Sequence, residues 1–345
     1  MGRRRGLAAL LGAVVLAASA AIAAGPSARA AEKLNIGVLR LASSGPIFIA
    51  QDKGYFRDEG LDTALKFFEA AQPIAVATVS GDVDVGITGL TAGFYNLAGK
   101  GALKIIAAQS REEKGYHLTA YLASNGAYEK GLRSLKDLPG HSVGITQVGS
   151  TFHYSLGLLA RKEGFELSKL KLVPLQSMPN MATALKGGQV DAALIPATVA
   201  APLIEHGDAK LLGWVGDETP WQLGASFAAP KTISERRPVL EKYVRAYRHA
   251  AADFEAAFLR LGPDGKPVEG PEAASLLHII GKYTAQDAAT LRLGIAYIDP
   301  QARLLVRDVY NQVAWYQSQG LVDKSVDAKS VIDLSFVDKH LDLPQ

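Results

Sequence analysis

The chain has no cysteine among its 345 residues, so neither a disulfide, a thiolate nucleophile nor a cysteine-held metal takes part in its fold or chemistry. A hydrophobic core must do that holding instead. Past residue 31 there is no apolar run approaching the roughly 20 residues that a membrane-spanning helix needs. Excess basic charge is lacking too. Of 37 Lys and Arg against 34 Asp and Glu, four (Arg3, Arg4, Arg5 and Arg29) lie before Glu32, which leaves 33 against 34, or −1. With no basic stripe carrying interleaved aromatics, a nucleic-acid partner is not expected. The nucleophile elbow, HExxH, P-loop and dinucleotide fingerprint are absent as well, so neither a metal nor a cofactor is called for.

What is present begins at the N-terminus. Three arginines precede an apolar run over 7–24, and Ala28-Arg29-Ala30 follows Gly25-Pro26. Charged, then apolar, then small is the order of a cleavable secretory signal, here residues 1–30, and it implies a protein released into the periplasm. The remaining chain is long enough for two domains.

Short β-branched or apolar runs then alternate with segments of helical period, the pattern of βαβ units and parallel sheets. Strands are expected at 34–39, 63–68, 83–88 and 104–108, with helices at 47–53, 73–80 and 92–100. A second series places strands at 142–146, 170–174, 191–195 and 210–214, with helices at 152–162, 178–186 and 199–206. The two series superpose. Asn35-Ile36-Gly37-Val38 falls on Ser142-Val143-Gly144-Ile145, and Gly81-Asp82-Val83-Asp84 on Gly188-Gln189-Val190-Asp191, both offset by 142 − 35 = 107. Glu59-Gly60-Leu61-Asp62 falls on Glu163-Gly164-Phe165-Glu166 at an offset of 163 − 59 = 104, and three ordered matches at similar offsets read as a duplicated α/β unit. From Pro238 onward helical periodicity dominates over 240–261, 271–283 and 302–319, a tail expected to pack on the first lobe. Between the first two, residues 263–267 read as an exposed turn.

The segment Asp52-Lys53-Gly54-Tyr55-Phe56-Arg57-Asp58-Glu59-Gly60-Leu61-Asp62 resembles the region after the first helix of periplasmic binding proteins for nitrate, sulfonates, taurine and pyrimidine thiamine precursors. Ser80–Ile87, 134–140, Gly149-Ser150-Thr151-Phe152-His153-Tyr154 and 188–194 continue the resemblance in order. It implies a two-lobed type II periplasmic-binding fold. Two doubly wound, mostly parallel sheets would be joined by two crossovers, near 110–116 and 216–223, and followed by a helical C-terminal tail. Lobe one would comprise 32–111 and 223–345, and lobe two 112–222. The implied function is solute binding for an ABC importer. A monomer would capture a small, anionic ligand such as a sulfonate or an aromatic carboxylate and pass it to permease subunits in the membrane. The alternative is an enzyme on the same fold; the cysteine-dependent pyrimidine synthases are excluded by composition.

In open α/β sheets, ligands sit beyond the carboxyl ends of strands, where helix starts present free N–H groups. Four such junctions carry small or hydroxyl residues: Ser43 and Ser44; Thr88, Gly89 and Thr91; Thr146, Gly149, Ser150 and Thr151; Pro196 and Thr198. All are candidate ligand contacts, as are Gln72, at a helix start, and His153, one turn into its helix, where a core role competes. Arg111 and Arg40 are read as parts of solvated surface, and Trp214 and Trp221 as hinge packing. Asp82 and Asp84 are given a structural place.

Overall fold

The computed structural model describes residues 30–263 and 267–342; the leader expected over 1–30 and the tip of the turn expected over 263–267 lie outside them. The first series folds as β1 (Glu32–Leu39), α1 (Gly45–Asp52), β2 (Leu61–Phe68), α2 (Ala71–Ser80), β3 (Val85–Gly89), α3 (Ala92–Gly99) and β4 (Lys104–Ala108). A short strand β5 (Ser110–Glu112) leads to β6 (Thr119–Ser124). The second series is β7 (Ser142–Ile145), α4 (Thr151–Glu163), β8 (Lys171–Pro174), α5 (Met178–Lys186), β9 (Ala192–Pro196), α6 (Ala197–Glu205) and β10 (Ala209–Trp214). The return passage is β11 (Trp221–Gln222), followed by β12 (Gly224–Ala228).

The strands form two five-stranded sheets, ordered β2-β1-β3-β12-β4 and β8-β7-β9-β6-β10. Position for position these are one architecture. In each, the strand next to the edge is antiparallel to both neighbours and lies outside the βα series that supplies the rest of the sheet. The duplication extends to register. Ile36 lies opposite Val85 and Gly37 opposite Gly86, while Val143 lies opposite Ala192 and Gly144 opposite Ala193. A carboxylate secures each copy at the same place: Asp84 accepts the Asn35 N–H at 2.7 Å, and Asp191 accepts the Ser142 N–H at 2.9 Å. Asp84 is thus structural, as expected. Strands β3 and β9 are buried along their whole length, which suits parallel sheets covered on both faces.

Among the strands missing from the sequence expectation are β6 and β12, which enter the five-stranded sheets from stretches read as connection. Both are rich in Ala, Gly, Ser or Thr and pair only with strands distant in the chain, so neither local propensity nor period marks them.

The tail also differs. Helix α7 (Pro230–Phe258) starts ten residues before the expected 240, and Arg236 leaves helical geometry (φ −131°, ψ 29°) two residues ahead of Pro238, which has no N–H to continue the ladder. It packs with α8 (Ala273–Thr284) against α1, burying Phe48, Tyr243, Tyr247, Phe254 and Ile280 on the outer face of the first sheet. Strand β13 (Tyr297–Ile298) joins β5, making a three-stranded crossover sheet β11-β5-β13. The last helix, α9 (Val306–Ser318), rests on both α3 and α4 rather than on the first lobe alone. Gly157 makes room for this. A Cβ there would overlap the Trp315 ring. One hydrophobic core accordingly runs from Phe94 and Phe227 through Tyr316, Tyr154 and Trp221 into the second sheet.

Candidate functional site

The carboxyl ends of β1, β3, β7 and β9 face one another, and the junctions that follow them touch. Gly149 adopts φ +83°, a left-handed geometry that a side chain would strain, and its carbonyl accepts the Ala92 N–H at 2.8 Å. That hydrogen bond joins the start of α3 to the turn before α4. A Cβ on Gly149 would stand 2.8 Å from the Ala92 Cβ, and one on Gly89 would stand 2.7 Å from the Thr151 Cγ2. Backbone of one series lies against backbone and side chains of the other.

Two adjoining cavities lie at this contact. The larger, about 50 Å³, is lined by Ser43, Ser44, Thr88, Gly89, Thr151 and Pro196 among the expected residues. The smaller, about 20 Å³, is lined by Gln72, Thr91, Thr146, Ser150 and Thr151. Gly149, His153 and Thr198 line neither. Thr198 turns its methyl toward Gly294 and gives its carbonyl to the Gln286 amide at 3.0 Å, so it anchors α6. His153 is the core histidine of the two readings. It is 6% exposed, its Nδ1 accepts the Gly149 N–H at 3.0 Å, and burial pushes its pKa down to about 4, which keeps the ring neutral.

Capping and site roles separate here. Thr91 accepts the Phe94 N–H at 3.1 Å and donates to the Gln72 Oε1 at 2.5 Å, and Ser150 accepts the His153 N–H at 3.3 Å, as helix caps do. Ser44 makes no side-chain cap of α1. The Thr88 hydroxyl is 98% buried by residue exposure (2% accessible) and has no hydrogen-bond partner. An unpaired buried hydroxyl beside a cavity is a group that a ligand would satisfy.

The rest of the larger cavity went unseen in the sequence. Leu39, Leu118, Phe152, Met178 and Leu223 form apolar walls, with Gln109 and Thr119 as polar members. Such side chains look like core until the two series are brought together. Among the described residues, no charged side chain lines either cavity. Arg40 gives Nη1 to the Tyr283 carbonyl at 2.7 Å and covers the Phe67 ring. Arg111 is not solvated, contrary to expectation: it is 9% exposed, pairs with Glu113 at 3.0 Å and lies over the Tyr297 ring. Trp221 packs edge-on against Tyr154, and Trp214 stacks on His117. A wider depression of about 210 Å³ at Tyr116, Phe258 and Leu293 lies away from the strand ends.

Residues 42–255 match the family model described as NMT1/THI5 like. The chain belongs to that family. No curated relative matches the sequence. Among solved structures, the alkanesulfonate-binding protein SsuA from Xanthomonas axonopodis pv. citri bound to MOPS is similar at 18% identity and TM-score 0.69, covering 88% of this chain and 98% of that one. The periplasmic nitrate-binding protein NrtA from Synechocystis PCC 6803 is similar at 11% identity and TM-score 0.68, over 88% and 86%. The desulfurization enzyme DSZB is similar at 12% identity and TM-score 0.60, over 88% and 97%. At these identities the likeness is one of fold: this NMT1/THI5-like chain has the two-lobed periplasmic-binding fold that the sequence resemblance implied.

Proposed function

We propose that the protein is the solute-binding component of an ABC importer, closing two lobes over a small organic ligand in the periplasm and delivering it to a membrane permease. The lobes are 32–111 with 223–345, and 112–222. The observation that carries this reading is the convergence of helix starts from both series on one cavity, joined across the lobes by the Ala92 N–H to Gly149 carbonyl bond. Two short crossovers allow a hinge, and closure gathers separate N–H and hydroxyl groups into one desolvated pocket.

The ligand has a polar head and an apolar body. The body rests on Leu39, Phe152 and Met178; the head meets Ser43, Ser44, Thr88 and Thr151 and the first turn of α4. An anionic head, a sulfonate or aromatic carboxylate, would be held by N–H and hydroxyl donors alone, because no cationic side chain reaches the cavity. Catalysis on the same fold is disfavoured by the lining, which among the described residues offers hydroxyls but no His, Asp, Glu, Lys or Tyr to act as acid or base beside them.

A thermal-shift screen across sulfonates, aromatic carboxylates, pyrimidines and nitrate tests the reading, since a ligand at about 100 times its Kd adds about 2.7 kcal/mol of stability. Mass analysis of the retained ligand after long incubation follows. Binding without conversion supports the proposal. Conversion over many turnovers, or no stabilisation by any class, overturns it.

A further inference from the structure

Both passages of the chain between the sheets meet at one buried carboxyl. Glu112 ends β5, is 0% exposed, and neither of its carboxyl oxygens has a hydrogen-bond partner. In register it lies opposite Trp221 of β11, whose indole N–H is also unpartnered. The second passage closes on the next peptide: a Cβ on Gly216 would stand 2.5 Å from the Glu113 carbonyl oxygen and 2.9 Å from its nitrogen. The Thr119 hydroxyl and N–H and the Gly216 N–H face the carboxyl without reaching hydrogen-bonding geometry. Thr119 in turn lines the larger cavity.

The surrounding charges do not compensate Glu112. Arg111, its neighbour in β5, is engaged by Glu113 and the Tyr297 ring. From the short helix Val215–Glu218, Asp217 adds repulsion, and it lies 3.8 Å from His117. Tyr121 of β6 is the remaining titratable neighbour, itself neutral because burial raises its pKa. Desolvation pushes the Glu112 carboxyl up to about 8. An ionised carboxylate without a partner is strongly disfavoured in such a place, so the group is a neutral acid while the crossovers are packed together. Water admitted by their separation would allow it to ionise.

We propose that Glu112 is a positioning residue that couples movement of the crossovers to one proton, the two passages packing together beside Thr119 and the ligand cavity only while the acid is neutral. The inference rests on the reading that the lobes close over a ligand. Above about pH 8 the ligand-free protein then ionises and its crossovers separate, so that ligand capture there takes up a proton and affinity falls by up to about tenfold per further pH unit.

The test uses ligand-free protein, so it stands or falls apart from the choice of ligand. Infrared difference spectra between about pH 7 and pH 9 should show the loss of one protonated-carboxyl band, centred near the elevated value of about 8. Tryptophan fluorescence and the radius of gyration from small-angle scattering should change over the same interval. Glu112→Gln should abolish all three changes. Absence of the protonated-carboxyl band at neutral pH overturns the proposal. So does a band that titrates with no accompanying change in fluorescence or radius, which would mark a merely structural acid, or transitions that persist in Glu112→Gln. Should that variant fail to fold, the coincidence of band and radius in the native protein decides.

Discussion

If closure brings β3 against α4, then one methyl group placed between them should block it. Gly89 is the position. Its backbone does not have positive φ, so alanine introduces no backbone strain, and the hydrogen bonds of β3 to β12 are untouched. The new Cβ would stand 2.7 Å from the Thr151 Cγ2 and 3.4 Å from the Leu223 Cδ2. Carbon atoms pack best at about 3.5–4.0 Å, so Leu223 is an ordinary neighbour and Thr151 must retreat by about 1 Å. Overpacking of this kind costs about 1–3 kcal/mol, and here the cost falls on the closed form because the clash spans the two lobes. Affinity for a ligand found by the thermal screen should therefore fall roughly 5- to 150-fold in Gly89→Ala.

Thr151→Ser supplies the control, since it removes the offending methyl and keeps the hydroxyl. In the Gly89→Ala background it should restore affinity to within about 0.5 kcal/mol of the Thr151→Ser single variant, the two positions being coupled through contact. Isothermal titration calorimetry on the four proteins measures the cycle, with scattering on the ligand-free forms to report opening. Native affinity in Gly89→Ala, or a loss that Thr151→Ser does not relieve, would refute the reasoning that this contact belongs to the ligand-bound state.

Replacing Ser150 and Thr151 together with alanine should weaken binding by at least about tenfold, roughly 1.4 kcal/mol, with a stability loss near the 1 kcal/mol of a helix cap; calorimetry with unchanged affinity would make these residues caps only. Gly157→Ala should drive Trp315 off α4 and lower stability by about 1–3 kcal/mol in urea unfolding, since the new Cβ would overlap the ring and break its packing on Tyr154. Urea unfolding as a function of pH should show stability falling between about pH 4.5 and 8, because above the ordinary Glu value the unfolded chain has lost the proton that folded Glu112 keeps. That slope should vanish in Glu112→Gln, and a native protein whose stability is flat across the interval would count against a neutral buried acid. His153→Asn, which retains an acceptor for the Gly149 N–H, should bind more tightly than His153→Leu, which does not; equal affinities would show that the ring only fills space.

The legibility of this fold follows from where its information lies along the chain. The duplicated unit could be read because each copy repeats the same local demands: a carboxylate 49 residues on from the strand N–H that it accepts, a glycine beside it in register, and an apolar strand buried on both faces. These demands fall on consecutive residues, so they leave a periodic trace. Strands β6 and β12 leave none. Each fills a slot inside its sheet that the neighbouring βα series leaves open, and Ala, Gly and Ser suit a buried slot between neighbours without announcing a strand.

The site divides along the same line. Hydroxyl and glycine junctions are local features that a sequence can offer as candidates; the apolar walls from Leu39, Phe152, Met178 and Leu223 become walls only when two distant series meet. Local signals also mislead where a single residue serves two masters. Thr198 has the junction position of a ligand contact, but its carbonyl is committed to Gln286 and its methyl lies toward Gly294, while His153, for which a core role is the stronger reading, spends its ring nitrogen on the turn at Gly149. Arg111 shows the converse. Its flanking charges read as a solvated run, yet β5 carries the chain through the interior between sheets, where a guanidinium persists only by pairing with Glu113 and lying on Tyr297. The crossovers are therefore where sequence reasoning is weakest, because their buried and unpaired polar groups, Ser110, Glu112, Thr219 and Trp221 among them, answer to contacts between distant segments and not to any local period.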